Sequence, residues 1–102
     1  MRSRQTLQDK LEKILGTGAV YFQPPESKTL TYPCIVFELN DTDVTSADNR
    51  RFITYDRYHI KHLYKSINNC LKNTILDSFD YISHDNQMKV DGLYNDDFTL
   101  YY

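Results

Sequence analysis

Tryptophan is absent from these 102 residues, and glycine, proline and cysteine are scarce: three, three and two residues respectively. Each shortage excludes something. Gly16, Gly18 and Gly92 are too few and too scattered to build a phosphate-cradling loop. No serine sits in a strand-to-helix elbow flanked by glycines. Cys34 and Cys70 are far apart in the chain, which leaves no zinc quartet and no disulfide framework. Cys34 lies in an apolar strand pattern and Cys70 on the apolar stripe of a helix, so both are expected as buried free thiols in a reducing cytoplasm. No run approaches the ~18–20 apolar residues of a membrane span. Arg2 and Arg4 are not followed by the apolar core of a secretory signal.

Tyrosine is abundant instead, with nine copies. Tyr combines a large contact area with a polar end and is enriched at interfaces, although it also fills strands as Phe does. Hydrophobic residues make up 40% and charged residues 25%, which suits one globular domain over residues 1–102. Such a chain buries only about 60–70% of its unfolded surface, so association with other copies would add stability.

Net charge is −2, which argues against bulk attraction to nucleic acid. The charges come in blocks. Glu38, Asp41, Asp43 and Asp48 form an acidic stretch without a base; Arg50, Arg51, Arg57, Lys61, Lys65 and Lys72 follow with Asp56 as the one acid among them. From Asn73 onward the chain is acidic again, with Lys89 its one base. Blocks of this kind suit head-to-tail contact between copies, or equally a solvated mixed surface.

Periodicity sets the elements. Leu7, Leu11, Ile14 and Leu15 predict an amphipathic helix over 4–15, with Ser3 or Thr6 as cap and Gly16 or Gly18 as stop. Val20–Gln23 is a short strand ended by Pro24-Pro25. Tyr32–Leu39 is apolar on both faces, the pattern of a strand covered on both sides. Asn40–Arg50 is polar and predicts a long, poorly ordered loop. Arg51–Tyr64 alternates: Arg51, Ile53, Tyr55, Arg57, His59, Lys61 and Leu63 on one face, a more apolar set on the other. Ser66 caps a second helix to about Phe79, with Ile67, Cys70, Leu71, Thr74, Ile75 and Ser78 as its inner stripe. Tyr81–Val90 is a weaker strand, broken near Asp85-Asn86, and Phe98–Tyr102 is the last strand. The turn between them falls at Asp91-Gly92 or at Asn95-Asp96. The fold class is α+β: a mainly antiparallel sheet of about four to five strands flanked by two helices, in the order α-β-β-β-α-β-β.

Catalytic and metal chemistry find little support. His59 and His62 point to opposite faces of a strand, and the neighbours of His59 are the cations Arg57 and Lys61. Asn95, Asp96 and Asp97 lack the spacing of a calcium loop and read as turn chemistry. Asp41, Asp43 and Asp48 sit on a loop too mobile for a general acid. The chain is therefore expected to be no enzyme, with no catalytic residue, cofactor or metal. The face carrying Arg51, Tyr55, Arg57 and Lys61, extended by Lys65, suits an interface, a nucleic-acid backbone or plain solvation.

Several segments carry a resemblance: the N-terminal helix, Tyr21-Phe22-Gln23-Pro24-Pro25, Tyr32-Pro33-Cys34-Ile35-Val36, Ala47-Asp48-Asn49, Tyr58, and Asp91-Gly92-Leu93 with Phe98-Thr99-Leu100-Tyr101-Tyr102. In this order they resemble the tail-completion, or tail-terminator, proteins of long-tailed bacteriophages, also described as head-to-tail joining or minor capsid components. The resemblance implies a virion structural protein, a sheet flanked by helices, and a homo-oligomeric ring, typically a hexamer. It implies assembly in the bacterial cytoplasm and residence at the head–tail junction. The partners it implies are the tail-tube protein, the head–tail connector, and genomic DNA passing the lumen without sequence-specific binding; no membrane is involved. Arg51, Tyr55, Arg57, Lys61, Tyr94 and Tyr101 are then candidates for the subunit or tube interface. Asp41, Asp43, Asp48 and Asn49 are candidates for a lumen or tube-contact loop. A head-completion or neck protein is the alternative within virion assembly. A small nucleic-acid-binding accessory domain using strand 51–65 is the alternative from another class.

Overall fold

The computed structural model describes the backbone of residues 4–47 and 51–102 and the side chains of residues 4–40 and 56–102. Two helices and a five-stranded mixed sheet follow in the order α1 (Arg4–Leu15), β1 (Val20–Phe22), β2 (Cys34–Ala47), β3 (Arg51–Tyr64), α2 (Lys72–Asp77), β4 (Ile82–Val90), β5 (Leu93–Tyr101), with a single 3-10 turn, Ile67–Asn69, before α2. Strands lie in the order β1-β2-β3-β5-β4. Only the β1–β2 pair is parallel. This is the α+β class that the periodicity indicates.

Alternation on β3 organises the core. Tyr58, Ile60, His62 and Tyr64 are buried, while Arg57, His59, Lys61 and Leu63 are half-buried on the opposite face. Register carries the buried face across the sheet: Phe37 faces Ile60, Ile60 faces Phe98, and Tyr58 faces Leu100. Leu7 and Leu11 of α1, Ile75 of α2 and Phe79 join these residues in one cluster. Both helices therefore cover the same face. Arg4–Leu15 ends where its spacing predicts; Gly16 takes φ +85° and its N–H bonds the Glu12 carbonyl at 2.8 Å, a left-handed stop that glycine adopts without strain.

Three expectations are corrected. First, the supposed loop is mostly strand: β2 continues through 40–47 and pairs with β3, after a bulge between Leu39 and Asp41. Its polar composition is misleading because a strand is held by its cross-strand backbone ladder, which polar residues do not prevent. Thr42, Val44 and Thr45 supply the β-branched propensity. Asp48, Asn49 and Arg50 lie outside the described residues. Second, β2 is not sandwiched. It begins at Cys34, leaving Tyr32 outside it; Glu38 on the far face is exposed, and Leu39, opposite Tyr58 on the core face, is 42% exposed. Third, the second helix is interrupted. Ser66 does act as a cap, its Oγ accepting from the Asn68 N–H at 3.3 Å, but Cys70 is extended (φ −66°, ψ 123°) and stops the 3-10 turn. Ile67 is left 53% exposed rather than on an inner stripe.

The last hairpin turns at Asp91-Gly92, both at positive φ (53° and 78°), as two-residue hairpins prefer. Asn95-Asp96-Asp97 is not a turn but the middle of β5. The expected break in β4 is a register shift between His84 and Asn86, leaving one continuous strand. A Cβ at Gly92 would meet open space, so Gly92→Ala costs only the conformation, about 1–2 kcal/mol. Urea unfolding should show that loss; an unchanged midpoint would contradict the turn geometry.

Candidate interface surfaces and a buried polar cluster

β1 pairs with β2 only at residues 35–37, and β5 pairs with β3 from residue 57 onward. The last link on that side is the Asp56–Tyr102 pair, with N–H to carbonyl bonds of 3.2 and 3.0 Å. Beyond it, residues 43–47 and 51–55 pair only with each other among the described residues. They form a two-stranded arm reaching roughly 15 Å past the sheet, on a molecule 50 Å long and 26 × 23 Å across.

The register of the arm brings together groups that lie apart in sequence. Asp41 is the ladder partner of Arg57, Asp43 of Tyr55, and Ala47 of Arg51. The acidic and basic blocks are thus neighbours within one hairpin.

The sheet face without helices carries the other candidates. Lys61 and Arg57 sit there, with Arg57 the ladder partner of Tyr101. His59 lies between two acids: Nδ1 is 3.4 Å from Glu38 Oε1, and Nε2 is 3.4 Å from Asp97 Oδ1, the second contact lacking hydrogen-bond geometry. Asp85 accepts from Ser83 Oγ at 2.9 Å and from Thr99 Oγ1. A polyanion running along β3 would therefore meet Glu38 on one side and Asp97 and Asp85 on the other. Cys34 also belongs to this face by register, yet it is fully buried beside the β1–β2 connection, and burial pushes its thiol up to about 11. Tyr94 belongs to the helix-covered face instead. It is half-buried, stacks on Tyr64 at 5.2 Å, and lies under the Lys89 ammonium at 5.0 Å.

A polar cluster on the helix-covered face escapes the sequence reading. Asp96 is fully buried. Its Oδ2 accepts from Tyr64 OH at 2.7 Å and from the Cys70 thiol at 3.7 Å; His84 Nε2 is 3.1 Å from Oδ1. Gln87 Nε2 donates to Tyr64 OH at 3.0 Å. Burial, then the bonds to Cys70 and Asp96, push the Tyr64 phenol upward. His62 is the ladder partner of Asp96, fully buried and stacked on Tyr64 at 4.6 Å, with neither ring nitrogen bonded. The signal available in sequence was the even spacing of His62, Tyr64 and, on β5, Asp96; the turn reading of Asn95-Asp96-Asp97 concealed it. Among the described residues no group of three or more His, Cys, Asp and Glu is arranged to hold a metal ion. No helix among them is long and apolar enough to cross a membrane.

Burial lowers His62 from its ordinary 6.5 to about 4, with Asp96 partly opposing. The unfolded chain then binds more protons than the folded one between those values. Stability is full above about pH 6.5 and falls as pH drops toward 4, by about 3 kcal/mol in all. His62→Phe keeps the ring stack and removes two unpaired nitrogens. It should raise stability at pH 7 by about 1–3 kcal/mol and remove this acid-side slope in denaturant titrations. A loss at pH 7 would mean that the nitrogens are satisfied in solution.

No protein-family model, curated protein or solved structure matches the chain.

Proposed function

We propose that this chain is a structural subunit that joins copies of itself in a closed ring, and that the ring caps the head-proximal end of a long-tailed phage tail. The ring ends tube polymerisation and offers a docking face to the head connector. The family resemblance supplies the phage setting, the typical sixfold ring and the DNA-filled lumen. One structural observation supports self-assembly: the arm formed by residues 43–47 and 51–55. A two-stranded ribbon is marginal in water by itself, and both its outer edges present unpaired backbone groups. An arm of this kind gains stability by lying against a neighbour. It leaves the domain in one direction, as a heterologous, ring-closing contact requires.

The uncovered sheet face serves the same reading. Arg57, Lys61, Glu38 and Asp97 give it both signs of charge, which suits a patterned protein partner better than a phosphate backbone. That pattern places the nucleic-acid alternative behind the assembly reading. The head-completion or neck alternative shares the need for a ring with two unlike faces, and it differs in what the ring seals.

The test uses purified protein and polymerising tail-tube subunits. Wild-type protein should bind tube ends and halt elongation, seen by negative-stain microscopy. A variant in which residues 43–55 are replaced by an Asn-Gly turn joining the ladder pair Thr42 and Asp56 should keep a cooperative urea transition and lose end-binding. Tubes that elongate normally in the presence of the wild-type protein would contradict the proposal.

A further inference from the structure

The helix-covered face changes character along the sheet. Ile60, Phe98 and Leu100 give way to His62, Tyr64 and Asp96, all fully buried. What covers this polar end is thin. The 3-10 turn Ile67–Asn69 contributes no buried residue. The chain regains the core only at half-buried Leu71 and at buried Ile75. Just before Leu71, Cys70 ties the segment to the sheet by two long contacts, 3.7 Å to Asp96 and 3.9 Å from Gln87. These are the weakest bonds in the cluster, since a thiol is a poor donor and a poor acceptor.

His62 stands one ladder position from Asp96 on the same face, a separation of about 5 Å between the two Cβ atoms. Its ring is committed to the Tyr64 stack and to no hydrogen bond. The carboxylate it faces is occupied by Tyr64, His84 and Cys70. We propose that His62, Asp96 and the Ser66–Leu71 segment form an acid-triggered latch: a proton taken from solvent by His62 turns the ring onto Asp96, displaces the Cys70 thiol, and frees the segment while the apolar core stays closed.

The physical argument is one of charge. A proton arriving on a buried imidazole must be paired. Asp96 is the one buried carboxylate facing His62 from its neighbouring strand, and Ile35, its ladder partner on β2, has no polar side-chain group. The other groups facing the cluster are Tyr64 on β3, Cys70 after the 3-10 turn, His84, Gln87 and Lys89 on β4, and Tyr94 on β5. Of these, Cys70 has least to lose on leaving. Lys89 is held over the Tyr94 ring, 5.0 Å from its centroid. His84 already touches Asp96 Oδ1 at 3.1 Å, so it has no new contact to make there and displaces nothing. Leu71 then serves as the hinge. The proposal is independent of ring formation and concerns the single subunit.

Two readouts test it on the full chain between pH 7 and pH 4.5. The first is amide exchange, corrected for its intrinsic pH dependence. Asn69 and Cys70, whose N–H groups bond the Ser66 and Ile67 carbonyls at 2.9 and 3.1 Å, should lose at least tenfold in protection, while Leu11 and Ile60 keep theirs. The second is thiol labelling with dithiodipyridine, which remains active in acid. Cys70 should label faster at pH 4.5 and buried Cys34 should not. His62→Phe should abolish both responses, and His62→Gln provides the same test should the phenylalanine variant fail to fold. His84→Gln should retain them. The proposal is overturned if the His62 variants respond as wild type does, if His84→Gln alone removes the response, or if the core amides open in parallel with the segment.

Discussion

Burial on one face of one sheet is the constraint on which everything else in this molecule depends. With 102 residues and two helices, one of them six residues long, the chain can cover only one side. The even positions of β3 and β5 take that side, together with Leu7, Leu11, Ile75 and Phe79. The odd positions are left as a broad polar surface, and among the described residues the far end of the β2–β3 hairpin pairs with no other strand. A protein with little interior has most of its chemistry outside. That is the physical reason for reading it as a part that fits against other parts.

The same constraint explains what was legible in the sequence. Where a residue faces the core, its neighbours two or three to four places away are apolar, and α1 and the buried face of β3 follow directly from that spacing. Residues 40–47 offered no such signal, being polar at nearly every position. Asp41, Asp43 and their neighbours therefore looked like a loop, although their β-branched company and the matching length of β3 were compatible with a long hairpin. The charge blocks were visible as blocks, but register alone reveals that Asp41 and Arg57 stand opposite one another.

The polar cluster was hidden for a different reason. Asp96 sits between Asn95 and Asp97, a composition that signals a turn wherever burial is unknown. Only the pairing of β5 with β3 and β4 assembles Tyr64, His84 and Cys70 around it, and three donors make a buried carboxylate tolerable. His62 is the inconsistency left over. A sequence selected for stability alone would place an apolar ring there, as the adjacent Ile60 and Phe98 do. Its persistence beside a satisfied carboxylate gives the fold a polar weak point under its thinnest cover.

Arm, uncovered face and modest core, taken with the family resemblance of the sequence, support the central proposal that this subunit works as a ring at the end of a phage tail. The most direct measurement is electron microscopy of lysates from a phage in which this gene is interrupted. The account predicts overlong tail tubes with no heads attached, since nothing stops polymerisation or offers the connector a face. Virions of normal length and composition would contradict it.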